Sequence, residues 1–283
     1  MSVAAFLRQL RWENRKLWSR PRTYLGFAAT LLFEIVLVFL YRATGLDDLF
    51  AHSYWRVPPE LAGPLSGPTV AVHVAAQTMG AIASLFLALV AGDIIANESE
   101  ERTLHMIFSR PVSRASVLIQ KVLACVGYTL VLCLFVAASS LALALVVEGP
   151  GTLVMVAPRE SLVGIHAFAP ALQRYALGTA LLWPCSVTFT LVAFTLSCFR
   201  MKPGAATVLA VALFLLDQTL RVQPGIGWYA TYSVTTRILT WRQAFAYDVA
   251  WLRIQRNVTE LILLDLVLVG IAWWVFSRRE LAP

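Results

Sequence analysis

The run Val122–Val147, VLACVGYTLVLCLFVAASSLALALVV, contains no charged side chain over 26 residues. As a helix it would be about 39 Å long, more than the roughly 30 Å of a bilayer's hydrocarbon core. Working outward from it, five more apolar runs appear at Tyr24–Tyr41, Val74–Ala91, Ala176–Phe199, Ala205–Leu216 (extending toward Leu220) and Leu261–Phe276. Most reach spanning length once flanking residues are counted. The fifth is short: Asp217 and Gln218 interrupt it, Arg221 follows, and Pro224 and Gly225 break it. That pattern predicts a helix that kinks or re-enters near the surface. Hydrophobic residues make up 59% of the 283 and charged ones 14%. A soluble domain carries about 25% charged residues, so a soluble helical protein is excluded. The expected fold class is an all-α integral membrane protein, residues 1–283 forming a single transmembrane domain of six transmembrane helices with an N-terminal amphipathic interface helix and a short cytoplasmic coupling helix.

Basic residues set the expected orientation. Arg8, Arg11, Arg15, Lys16, Arg20 and Arg22 precede the first span, and Arg102, Arg110, Arg114 and Lys121 lie between the second and third. Arg200 and Lys202 follow the fourth, and Arg278 and Arg279 follow the last. The positive-inside rule then puts both termini and these two loops in the cytoplasm. The last external loop, with Arg221, Arg237, Arg242, Arg253 and Arg256, runs against this bias, but charges in a long loop weigh less. The net charge of +7 calls for anionic membrane lipid rather than a nucleic acid partner.

Met1–Trp18 does not read as a signal peptide, because its basic residues are spread along it rather than gathered ahead of an apolar core. On a helical projection Val3, Phe6, Leu7, Leu10 and Leu17 share one side and Arg8, Arg11 and Arg15 another, the pattern of an interfacial helix over residues 1–20. A cytoplasmic cap helix or a simple stop before the first span would use the same residues. Arg20-Pro21-Arg22 ends the segment and turns the chain into the membrane.

Chemistry of its own is not indicated. Cys125, Cys133, Cys185 and Cys198 fall in or beside spans without a CxxC, and His52, His73, His105 and His166 are scattered, so no metal site is expected. The sequence has no GxxxxGK[ST], GxSxG or HExxH motif. The chain is expected to bind no cofactor and to be no enzyme by itself; any ATP it depends on is bound elsewhere.

The densest local signal is Gly92–Lys121, GDIIANESEERTLHMIFSRPVSRASVLIQK. Glu98 is placed to pair with Arg102 at i,i+4, and Leu104, Ile107 and Phe108 share one face of a short helix that Pro111 ends. Arg114 and Lys121 are expected to anchor the returning helix at the headgroups. An apolar knob with a charged collar suits docking into a groove on a soluble partner, and by pattern alone a membrane-surface helix fits equally.

This segment resembles the signature of the ABC-2 type transporter permeases: a glutamate, a Gly-Thr-Leu step, a Pro-Val-Ser-Arg turn and a lysine between the second and third spans. The matching residues are Glu98, Thr103 and Leu104, then Pro111, Val112, Ser113 and Arg114, and Lys121. Arg102 stands where the glycine usually does, which predicts a less interrupted helix. The basic start, the six spans and Arg278-Arg279-Glu280 agree with the same layout. The resemblance implies the transmembrane permease subunit of an ABC exporter that pairs with a second copy or homologue and rests on two cytoplasmic ABC ATPase subunits, which hold the ATP and Mg. Coupling to those subunits would then fall on Glu98, Arg102, Thr103, Leu104, Ile107, Phe108, Pro111 and Arg114 within residues 92–121.

Other classes remain open on the residues alone. A secondary transporter would need internal ion sites and commonly an inverted repeat, and no convincing repeat is present. A non-transporting scaffold coupled to an ATPase would keep the same layout. An intramembrane enzyme needs paired acids at one depth, and the one such pair is Glu34 and Asp265, each expected roughly 10 Å below the outer surface. Either acid serves as a polar lining of the path or as an interhelical contact. Arg42–His73 and Gly149–Pro170 read as irregular external loops with proline breakers. Residues 221–257 read as an external loop with a surface or re-entrant helix, in which Trp241, Phe245 and Trp251 with Arg237, Arg242 and Arg253 would roof the path.

Overall fold

The computed structural model describes residues 3–51, 66–100, 113–157, 162–199, 201–223 and 225–278. Helix α1 (Val3–Trp18) leads into α2 (Pro21–Ala51), whose stretch Pro21–Ala43 is the first span. The second span, Gly67–Glu100, consists of α3 (Gly67–Thr78), a π-helical turn (Met79–Ala83) and α4 (Ser84–Glu100). Helix α5 (Arg114–Glu148) is the third span, α6 (Phe168–Cys198) the fourth and α7 (Pro203–Val222) contains the fifth. Two short helices, α8 (Gly227–Tyr232) and α9 (Val234–Ile238), and a 3-10 turn (Leu239–Phe245) precede α10 (Trp251–Ser277), the sixth. A hairpin of β1 (Leu153–Ala157) and β2 (Leu162–His166) pairs Leu153 with His166 and Ala157 with Leu162. The protein is therefore an all-α integral membrane protein, with six spanning helices and one small hairpin among the described residues. Because the spans alternate in direction, α1, the end of α4, the start of α5 and the end of α10 meet at one end of the bundle. The hairpin marks the other.

Local sequence sets the helix limits. Ser113 caps α5 by accepting from the Ser116 amide at 3.3 Å, and Gly149, at φ +76°, ends it in a conformation that side chains rarely adopt. Proline stands in the first turn of α3 and α7, where its missing N–H costs nothing. In the second and fourth spans 72% of the most apolar stretch is buried, against 11% in the sixth, so α4 and α6 form the centre and α10 a flank. α4 meets α7 at Gly92, where a Cβ would lie 2.7 Å from the Thr207 hydroxyl. Only a residue without a side chain lets the two backbones approach so closely.

Several expectations from the sequence need correction. The second span begins at Gly67, not Val74, and α10 at Trp251, not Leu261, because polar flanks still continue a helix once its hydrogen bonds are running. The stretch read as an irregular loop after Gly149 carries the hairpin, which Thr69 pins by accepting from the Val154 amide at 2.9 Å. Asp217 does not interrupt α7. It accepts from Tyr229 Oη at 2.6 Å, Ser233 Oγ at 2.9 Å and the Thr235 amide at 2.7 Å, so the returning segment satisfies the carboxylate within an unbroken helix. The single surface helix over Arg237–Arg253 is instead α9 and the 3-10 turn, with Trp241 and Phe245 buried in the core and Trp251 opening α10.

Candidate functional site

Helix α1 lies against α5, and its inward side is partly polar. Leu17 is buried and Trp18 stacks on Phe27 with ring centroids 5.8 Å apart, while Leu7 and Trp12 are exposed. Between these apolar contacts Gln9, Glu13 and Lys16 turn toward α5 and α4. Gln120 of α5 donates to Gln9 at 2.7 Å. Lys121 reaches Glu98 of α4 at 2.7 Å and Glu13 at 3.2 Å, and Lys16 reaches the same Glu98 oxygen at 2.5 Å.

The result is an electroneutral cluster of two lysines and two glutamates that joins three helices. Its centre is dry: the side chains of Lys121 and Glu98 are 0% and 1% exposed, against 40% for Lys16. Burying ions costs several kcal/mol each, and the cluster persists because each buried charge faces an opposite one at hydrogen-bond distance. Arg22 adds an ion pair with Asp93, tying the start of α2 to α4. Arg114 donates to the carbonyls of Ser277 at 2.8 Å and Phe276 at 3.5 Å, capping the end of α10 with a cation, where the helix dipole favours one.

Of the residues singled out for coupling, Glu98 and Arg114 belong to this region. Arg102, Thr103, Leu104, Ile107, Phe108 and Pro111 lie outside the described residues, as does the expected pairing of Glu98 with Arg102. Lys121 does not anchor at headgroups: it is buried in the cluster. Lys16, Glu13, Gln9 and Gln120 are functional candidates that sequence reading missed. A lysine and a glutamate at facing ends of adjacent antiparallel spans, 23 positions apart, are a signal that could have been read.

Glu34 and Asp265 do not form a pair. Glu34 of α2 is fully buried beside Ser139 of α5, and Asp265 of α10 lies beside Thr188 of α6. Thr129 of α5 and Thr190 of α6 share a hydrogen bond of 2.9 Å and mark a common depth. Ser139 lies ten residues beyond Thr129, about 15 Å toward the hairpin end, and Thr188 only two residues from Thr190, about 3 Å. The two acids therefore sit at different depths, each against a hydroxyl of a neighbouring helix. Among the described residues no group of His, Cys, Asp or Glu side chains is arranged to hold a metal ion.

A six-span bundle whose second and third spans are tied together at one end by buried ion pairs defines a polytopic membrane protein. The chain belongs to the ABC-2 type transporter permeases: the family model described as ABC-2 family transporter protein matches residues 9–217, from α1 to the Asp217 turn of α7. It is thus a membrane transport component. No curated protein matches the chain in sequence comparison. The matched stretch contains the whole ionic cluster and stops short of α8, α9, the 3-10 turn and α10.

Proposed function

We propose that this chain is the membrane-spanning subunit of an ATP-driven exporter, working as a pair on two cytoplasmic ATP-binding subunits, with residues 92–121 as the coupling segment. The observation that carries this reading is the buried cluster of Glu13, Lys16, Glu98 and Lys121. Residues 101–112 connect the end of α4 to the start of α5 in the chain, and the cluster fixes those two ends to each other and to α1. A push on that segment then moves three helices together instead of bending one. Rigid linkage of this kind is what converts closure of a partner into rearrangement of a bundle with two states. In this reading the α1 end faces the cytoplasm, in agreement with the basic residues gathered there, and the membrane is the cytoplasmic membrane of a prokaryotic cell.

Contact with the ATPase falls on Leu104, Ile107 and Phe108, since burying such a side chain is worth about 1.5–3 kcal/mol and an exposed ion pair under about 1 kcal/mol. The test is a pull-down of the permease at equal membrane levels. The double substitution Leu104→Ser and Phe108→Ser is expected to release a co-purifying ATPase or to uncouple its turnover, and Arg102→Ala to do much less. Unchanged ATPase binding and transport in the double variant would overturn the assignment. Orientation is checked separately. A cysteine at Glu100 is expected to react with an impermeant thiol reagent only after the cytoplasmic face is opened, and one at Tyr232 in intact cells; both positions are exposed, and the native cysteines are buried.

A further inference from the structure

Helix α1 presents two unlike faces. Gln9, Glu13 and Lys16 turn toward the bundle, where they meet Gln120, Lys121 and Glu98. The opposite arc of the same helix carries Leu7, Arg8, Arg11, Trp12 and Arg15, all exposed; residues three and four apart share a face. Leu7 therefore stands beside the arginines and not with the buried Leu17, as the helical projection of the sequence had it. Leu7 is 50% and Trp12 66% exposed, although both are side chains that leave water readily. Glu13 is the single acid of α1, and it faces inward. The outer face thus holds three arginines and no carboxylate, and among the described residues no acid pairs with any of the three.

Aromatic residues mark the level of this face. Where α1 passes into the first span, Trp18 meets the exposed Tyr24 edge to face, with ring centroids 6.1 Å apart. At the same end of the bundle Trp274 of α10 is exposed, and Arg278 lies 4.6 Å from its ring. Exposed Trp and Tyr beside arginine at the ends of spanning helices occupy the headgroup region of a bilayer. The outer face of α1 suits the same region. Guanidinium groups present paired donors in a fork that matches phosphate oxygens, and an indole and a leucine between them can enter the boundary with the acyl chains. A folded protein partner would need its acids at three fixed places. An anionic bilayer presents negative charge everywhere along the helix.

We propose that the outer face of α1 is a binding surface for anionic membrane lipid, with Arg8, Arg11 and Arg15 holding headgroup phosphates and Leu7 and Trp12 lying between the lipids. Because the inner face of the same helix is joined to Glu98 and Lys121, the charge of the lipid then bears on the ends of α4 and α5 as well. That consequence rests on the coupling reading; the lipid surface itself does not.

The test uses the full chain in nanodiscs that mix phosphatidylcholine and phosphatidylglycerol, with one or the other lipid brominated near the headgroup end of its acyl chains. Quenching at Trp12 is read as the difference between the protein and its Trp12→Phe variant. At equal mole fractions brominated phosphatidylglycerol is expected to quench Trp12 more than brominated phosphatidylcholine, and high salt is expected to narrow the gap. A basic side chain at an anionic surface is worth roughly fivefold in partitioning, so Arg11→Gln is expected to remove part of the preference. The triple variant Arg8→Gln, Arg11→Gln and Arg15→Gln is expected to remove all of it while keeping the wild-type Tm in phosphatidylcholine alone, since none of the three holds another described residue. Equal quenching by the two lipids in the wild-type protein, or a preference that survives in the triple variant, would overturn the proposal. Trp12 left unquenched by either lipid would overturn it too, since the face would then be turned to water and open to a protein partner. No ATPase is needed for this measurement, so its failure leaves the export reading standing, and loss of ATPase association leaves the lipid surface standing.

Discussion

The two ends of the bundle hold charge in opposite ways. At the α1 end Lys121 and Glu98 are withdrawn from solvent and meet each other, with Glu13 and Lys16 completing a neutral group between three helices. At the hairpin end the charges are held in smaller, more open groups: Asp217 accepts from Tyr229, Ser233 and Thr235, and Glu260 holds Arg237 and Arg256. A closed neutral cluster resists relative motion of its helices, because separating them strands ions in a medium of low dielectric. One end thus ties three helices together through buried ions, and the other satisfies its charges within local groups closer to solvent.

The largest effect that can break this comparison is at Glu98. Glu98→Ala leaves Lys121 buried with only Glu13, the more distant of its two described partners, and removing one member of a buried pair costs about 3–5 kcal/mol. Thermal unfolding in detergent is expected to show that loss, and α1 is expected to exchange amide hydrogens faster. Replacing both members, Glu98→Leu with Lys121→Met, is expected to recover most of the stability, since no unpaired ion is left between them. A double variant as unstable as the single one would show that the cluster acts through shape and not charge.

Next in size is Gly92→Ala, which tests the packing beside the cluster. The added Cβ would lie 2.7 Å from the Thr207 hydroxyl and 3.1 Å from its backbone nitrogen, and overpacking of this kind costs about 1–3 kcal/mol. Adding Thr207→Ala removes the first clash and not the second, so partial recovery is the expected outcome in the same unfolding measurement. Full wild-type stability of Gly92→Ala would mean that α4 and α7 separate freely.

At the hairpin end Asp217→Asn is expected to cost about 1–2 kcal/mol, because hydrogen bonds to a charged group exceed those to a neutral amide. The amide can still accept at its oxygen, but its nitrogen cannot take the place of the second carboxylate oxygen. Hydrogen exchange is expected to rise over residues 227–245 and to stay unchanged in α6. A uniform rise across the bundle would instead make Asp217 part of the global core.

Much of the fold was legible because a spanning helix advertises itself by length and apolarity alone. The six spans and the family motif between the second and third needed no tertiary information. What could not be read is where distant residues meet. The described partners of Glu98 stand 23 and 82 positions away in the chain, beyond the reach of the i,i+4 rule. Asp217 looked like a break because a lone charge in a span is costly, and the donors that satisfy it come from a segment that folds back over it. The hairpin hid behind flanking prolines and glycines, although Leu153 and Met155, then Leu162, Gly164 and His166, alternate with the period of a strand. Pro68 after Gly67 marked the true start of the second span and was read as a loop breaker.

The smallest effect sharpens the comparison most, because Lys16 and Lys121 approach the same Glu98 oxygen at 2.5 and 2.7 Å. Distance alone would make them equivalent. Burial separates them: the Lys16 side chain is 40% exposed and that of Lys121 is 0% exposed. Water competes for the ammonium of Lys16 and screens its attraction, so Lys16→Ala is expected to cost under about 1 kcal/mol, as exposed pairs do, and to shrink further in high salt. Lys121→Ala is expected to cost several times more and to be insensitive to salt, because it takes from the buried Glu98 the less exposed of the two lysines described beside it. Unfolding of both variants at low and high ionic strength measures the difference. Equal losses would mean that the attachment of α1, and not the buried pair, carries the rigidity of the α1 end.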